Sequence, residues 1–160
     1  MPLTLELKPH ERLLIGTIGL RNGSRRSRLT LETPARVLRG KDIILEHEAD
    51  TPAKRLYFLL EAYYLSGDMP EFEVQFTDAA LALMQIAPVY APHIADIWAD
   101  LHRHGSYRAL RTCAELVADE AASDGALRDL KGVGQAPRAS KEPSDQANLT
   151  LQQPRRHARD

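Results

Sequence analysis

The chain has 160 residues, 43% of them hydrophobic and 27% charged, with a formal charge of −1 and one cysteine, Cys113. That length supports a single domain with a core of its own, and one cysteine excludes both an internal disulfide framework and a multi-thiolate zinc site. No apolar run approaches the roughly 18–20 residues of a membrane-spanning helix. The opening Met1-Pro2-Leu3-Thr4-Leu5 also lacks the basic region and long apolar stretch of a secretory signal, so the expected compartment is the cytoplasm and no membrane partner is expected.

The first elements read as β. Leu3, Leu5 and Leu7 alternate with Thr4, Glu6 and Lys8, the period of a half-buried strand, and Pro9 ends it. Arg12 to Leu20 reads as one strand bent at Gly16 and Gly19. Arg21-Asn22-Gly23-Ser24 contains Asn-Gly, a strong hairpin signal. Leu29 and Leu31 mark another strand, Thr33-Pro34 a turn, and Val37 with Ile43-Ile44-Leu45 one or two short strands around Gly40. These form a small antiparallel sheet of four or five strands in the expectation.

The next elements read as α. Thr51-Pro52 places an N-cap before proline at the first helical position. Leu56, Leu59, Leu60 and Tyr63 follow at helical spacing, and Gly67 is a stop signal. A second helix is expected over about 70–87 with Phe72, Phe76, Leu83 and Ile86 inward, and a third over about 92–104 with Ile94, Ile97, Trp98 and Leu101 inward. Ser106 caps a fourth, in which Tyr107, Leu110, Ala114 and Val117 share a face and Cys113 is a small core residue. Connections this short favour antiparallel neighbours. The expected fold is therefore α+β: a small antiparallel N-terminal β-sheet, then an antiparallel bundle of about four helices, then a tail.

Charge divides the chain in the same places. Residues 1–48 form a basic head, and within 1–45 nine basic residues outnumber four acids. Residues 49–130 form an acidic helical part, expected to fold as one cooperative unit with the head; over 46–130 fifteen acids outnumber six bases. Residues 131–160 carry six bases and three acids among Gly, Pro, Gln and Ser, a composition too poor in aliphatics to offset ordering, so a disordered tail is expected. The nine aromatic residues all lie between Tyr57 and Tyr107.

Function is read from the head. Arg21, Arg25, Arg26 and Arg28 cluster about the Asn-Gly turn, and guanidinium forks match phosphate geometry. Arg39 and Lys41 form a second basic pair beside Gly40, with Leu38 on the opposite face of the strand from Val37 and Arg39. With no aromatic in the head, base stacking on Phe or Tyr is excluded, and contact with RNA falls to Arg, Lys, Asn, Ser and the backbone. A solvated polar turn and a charge-guarded edge strand are the plain alternatives for the two clusters. His102 and His104 are two residues apart and so do not share a helix face, and no metal or other cofactor is expected. No nucleophile, Walker or dinucleotide motif is present, so an enzyme is not expected.

Taken together, Leu7-Lys8-Pro9-His10-Glu11-Arg12-Leu13-Leu14-Ile15-Gly16, Arg21-Asn22-Gly23, Val37-Leu38-Arg39-Gly40-Lys41-Asp42-Ile43 and Ala49-Asp50-Thr51-Pro52-Ala53-Lys54-Arg55-Leu56-Tyr57-Phe58 resemble the FlbT family of flagellar regulators. The resemblance implies a post-transcriptional regulator that binds the 5′ untranslated region of flagellin mRNA. In some species such proteins repress translation and promote decay, and in others they act positively. It also implies a FlaF-type protein as partner. Glu11 to Gly16 and Pro34 to Ile44 bear a fainter likeness to the opening and end of CsrA proteins, small β dimers that bind mRNA leaders. On that likeness Lys41 stands where CsrA has an RNA-binding arginine.

The expected RNA-binding residues are therefore Arg21, Arg25, Arg26, Arg28, Arg39 and Lys41, with a homodimer and a flagellin contact as further possibilities. The rival expectation is a protein–protein adaptor that binds FlaF or flagellin through its helices.

Overall fold

A computed structural model describes residues 1–132 of the chain, with side chains to residue 124. Five strands, β1 (Leu3–Leu7), β2 (Arg12–Ile15), β3 (Ile18–Arg21), β4 (Ser27–Leu31) and β5 (Val37–Arg39), precede four helices, α1 (Pro52–Ser66), α2 (Phe72–Ile86), α3 (Ala91–Arg103) and α4 (Ser106–Gly132). The strands make two small antiparallel sheets, one of β1 and β4 and one in the order β3-β2-β5. The expected α+β order holds, while the head is divided between two sheets.

Three local readings are corrected in the head. The segment 12–20 is a hairpin of β2 and β3, in which Leu13 lies opposite Leu20 and Ile15 opposite Ile18. Gly16 begins its two-residue turn at φ 56°, as a tight turn matching strand twist requires. Asn22-Gly23 closes no hairpin: β4 leaves β3 and pairs with β1, so that Leu3 faces Leu31 and Leu5 faces Leu29. Ile43-Ile44-Leu45 forms no strand; it links two short 3-10 turns at Gly40–Asp42 and Glu46–Glu48.

The helices begin and end where short-range chemistry places them. The Thr51 hydroxyl accepts from Lys54 N at 3.3 Å, Pro52 fills the first turn, and Gly67 closes α1 at φ 75°. Ala53, Leu56, Tyr57 and Leu60 of α1 pack in one cluster with Phe72, Phe76, Ala80 and Leu83 of α2, Ile94 and Ile97 of α3, and Ala109, Leu110, Cys113 and Leu116 of α4. Ile86 and Tyr107, expected inward, are exposed, because the buried faces of α2 and α4 centre on Phe76 and Cys113. The Tyr64 and Tyr107 rings meet at one end of α1 and Thr51 bonds Glu120 at the other, so α4 runs antiparallel to α1.

The head is tied to this bundle by a few specific contacts. Leu38 of β5 enters the helical core. The Tyr57 hydroxyl donates to Asp42 O at 2.6 Å, and Ile44 N donates to the Glu61 carboxylate at 2.9 Å. Arg36 donates to Tyr64 O at 2.6 Å with its guanidinium over the Tyr64 ring, satisfying a carbonyl at the C-terminal end of α1. Among the described residues no helix is long and apolar enough to cross a membrane. The tail expected to be disordered lies, from residue 133 onward, outside the described residues.

Candidate nucleic-acid interface

The basic surface is built on two turns that pack against each other. Lys8-Pro9-His10-Glu11 closes with Glu11 N donating to Lys8 O at 3.1 Å. His10 adopts φ 59° at the third position, with Pro9 at the second, the pattern of a type II turn. The opposing turn is organised by Asn22. Its side-chain nitrogen donates to Lys8 O at 2.7 Å, Leu7 O at 3.3 Å and Arg25 O at 2.8 Å. Its side-chain oxygen accepts from Gly23 N at 2.9 Å and Ser27 Oγ at 2.7 Å. The Asn-Gly pair thus pins the loop between β3 and β4 onto the end of β1, and Lys8 comes to lie near Arg26 and Arg39.

Two adjoining open clefts result. One, of about 630 Å³, is lined by Glu6, Leu7, Lys8, Arg26, Ser27, Arg28 and Arg39. The other, of about 560 Å³, is lined by Lys8, Pro9, Glu11, Arg39, Gly40 and Lys41. Lys8 and Arg39 belong to both, so the two basic clusters of the sequence become one surface. Five cations border it against the carboxylates of Glu6 and Glu11.

The cations do not all play one part. Arg39 grips Glu11 with two bonds, of 2.9 and 3.0 Å, and reaches Glu6 O at 2.6 Å, so it braces the wall between the clefts. The Arg39 guanidinium, with the Lys8 main-chain N–H, holds the Glu11 carboxyl below the usual carboxylate range. Arg28 pairs with Glu6 at 3.2 Å across exposed surface, a weak pair that an incoming phosphate can displace. Lys8, Arg26 and Lys41 are exposed, and among the described residues none of them has an ion-pair partner. Arg21 and Arg25 are exposed but line neither cleft; Arg21 stands opposite Arg12 across β2 and β3.

Of the six expected residues, then, Arg26, Arg28, Arg39 and Lys41 are brought together, and Arg21 and Arg25 are set apart. Lys8 is the cation that the sequence alone does not single out. Its neighbour Pro9 marks the turn that carries it, but the opposing turn is folded against it by the Asn22 side chain and by His10 N donating to Gly23 O at 2.9 Å, contacts between residues distant in sequence. The clefts contain no aromatic ring, which leaves cationic and main-chain contact with a polyanion as the chemistry they offer. Among the described residues no group of three or more His, Cys, Asp or Glu is placed to hold a metal. Cys113 is fully buried, and that burial pushes its thiol up, away from the reactive thiolate.

Comparison with known proteins adds identity to this geometry. The family model described as flagellar protein FlbT matches residues 3–123. A probable flagellum biosynthesis repressor protein FlbT from Rhodopseudomonas palustris is 32% identical over 120 residues, covering 75% of this chain and 95% of the relative. A probable flagellum biosynthesis repressor protein FlbT from Caulobacter sp. (strain K31) is 42% identical over 89 residues, 56% of this chain and 66% of the relative. The flagellum biosynthesis repressor protein FlbT of Caulobacter vibrioides is 43% identical over 65 residues, 41% of this chain and 46% of the relative. No solved structure matches.

Proposed function

The chain belongs to the FlbT family, a regulatory and non-enzymatic one, and from that premise we propose that it represses flagellum biosynthesis after transcription. In this reading it binds the 5′ untranslated leader of flagellin mRNA in the cytoplasm and blocks translation or promotes decay. The observation that supports RNA as ligand is the pair of adjoining clefts sharing Lys8 and Arg39. Their exposed cations suit phosphates, and the hydrogen-bonded Asn22 and Glu11 turns fix the spacing between them. Lys8, Arg26, Arg28 and Lys41 would touch the backbone of the RNA, while Arg39 positions the wall.

The test is a gel shift of a flagellin leader transcript by the purified chain alone. Binding that weakens steeply with salt, and collapses when Lys8, Arg26 and Lys41 are neutralised together, is expected. Unchanged binding by that triple variant, or no shift at all, would overturn the reading.

A second reading has its own observation. Val74 and Leu81 lie on the solvent face of α2, and Ile86 and Val89 follow at its end, with 64%, 48%, 72% and 72% of their surfaces exposed. Such an uncovered apolar stretch suits a helical protein partner. We propose it as the surface for a FlaF-type protein or flagellin. Retention of such a partner by the chain, abolished by Leu81→Glu while RNA binding persists, would support it.

A further inference from the structure

The order β3-β2-β5 leaves β3 at the edge of its sheet. All four of its residues are exposed. Two are large aliphatics, Ile18 with 61% and Leu20 with 40% of their surface in solvent. Edge strands are commonly guarded by lysine, proline, a bulge or a covering element. Ile18-Gly19-Leu20-Arg21 carries one arginine, at its end, and none of the others. In a hairpin with a two-residue turn, Ile18 and Leu20 direct their main-chain groups at β2. Asn22 N donating to Glu11 O at 2.9 Å continues that phase. The main-chain groups of Gly19 and Arg21 therefore point outward.

We propose that β3 pairs antiparallel with β3 of a second copy of this chain, centred on Gly19, so that two three-stranded sheets become one. The strand is complementary to itself in that register. Gly19 exchanges both main-chain bonds with Gly19 of the second copy, as a two-fold axis through that point demands. Ile18 falls directly opposite Leu20, twice over, at the closely spaced position where side chains touch best. Arg21 meets Thr17 and not another arginine. A slip of one residue sets Ile18 against Arg21, and a slip of two sets it against itself or against Asn22. A partner of unrelated sequence has no reason to match this pattern, whereas a second copy matches it by symmetry. The inference does not depend on what the basic clefts bind.

Cross-linking by register tests it. A Cβ placed on Gly19 meets only Leu14 Cδ2, at an ordinary 3.6 Å, so Gly19→Cys should fold. Opposite residues in a hydrogen-bonded pair lie about 5.5 Å apart between Cα atoms, within the span of a disulfide. Mild oxidation of full-length Gly19→Cys should give a covalent dimer, while Thr17→Cys and Val74→Cys should not. Native Cys113 is fully buried and adds no background. In sedimentation, the unmodified chain should have the mass of a dimer. The double variant Ile18→Lys with Leu20→Lys should have that of a monomer with unchanged helical circular dichroism. A monomeric native chain at the highest attainable concentration would overturn the proposal. So would a dimer that survives the lysines, or one cross-linked through Val74→Cys instead.

Discussion

Leu60, Ile97 and Leu116 are sealed from solvent by apolar neighbours on four helices, whereas the head keeps only Leu7 and Leu13 buried outside that cluster. What the head lacks in core it replaces with polar fixtures: Asn22 bridging two turns, Arg39 locked on Glu11, Arg36 on the end of α1. The difference teaches that the two parts answer to different perturbations. The helical part should be sensitive to missing volume and the head to missing hydrogen bonds, while the exposed cations should matter to neither.

The largest expected effect is in the helices. Leu60→Ala removes a fully buried side chain, and should cost about 2–5 kcal/mol, read as a lower urea midpoint. If the head depends on α1 for support, Leu38 and Asp42 should loosen with it, and both parts should unfold in a single transition. Two separated transitions would break the cooperative picture.

Asn22→Ala is the corresponding blow to the head. It removes the acceptor for Gly23 N and Ser27 Oγ and the donor for Lys8 O and Arg25 O, at a cost of about 1–3 kcal/mol. Hydrogen exchange should quicken in the loop between β3 and β4 while the amides of α1 stay protected. RNA binding should fall as the clefts lose their shape.

A smaller effect joins the parts. Burial pushes the Glu61 carboxyl up to about 7, only partly countered by the Ile44 N–H it accepts, with Glu48 adding a lesser push. An unfolded glutamate gives up its proton near 4.5, so between 4.5 and about 7 the folded state binds more protons. Stability from this group is full at the low end of that interval and is lost as pH rises through about 7. Glu61→Gln keeps an acceptor for Ile44 and should flatten the slope, gaining on the order of 1 kcal/mol over the native chain at pH 8. Parallel urea titrations at pH 5 and pH 8 check it; identical slopes would contradict it.

The smallest effect on stability sharpens the contrast most. Neutralising Lys8 and Arg26 should change unfolding by no more than about 0.5 kcal/mol, since both are exposed and neither is ion-paired among the described residues. The same pair should lower the slope of log K against log salt by about 0.7 for each phosphate of single-stranded RNA that is no longer neutralised.

The helices were legible because their signals are local. Thr51-Pro52 and Gly67 act within one turn, and Phe72, Phe76 and Leu83 recur at the helical period. Ile86 misled because, at about 100° per residue, it is turned away from the Phe76–Leu83 stripe, and the packed positions beside it are Met84 and Ala87. The head was legible as β but not in its pairing. Asn22-Gly23 has the local chemistry of a hairpin, yet Asn22 spends its side chain on Leu7 and Lys8, far back in sequence, and β4 follows it to β1. For the same reason four of the six basic residues were found on one surface, and Lys8, isolated in sequence, was not.

The bond from Thr51 to Glu120 spans 69 residues. In the newly made chain, the start of α1 emerges from the ribosome 69 residues ahead of the carboxylate that clasps it. At about 5–20 residues per second, the wait is roughly 3–14 seconds. During that time Leu56 and Leu60 have no α4 to cover them, although the strands and the turns of the head are already complete. The head thus has the means to form first, in the same interval in which a nascent chain most needs shelter for the leucines of α1.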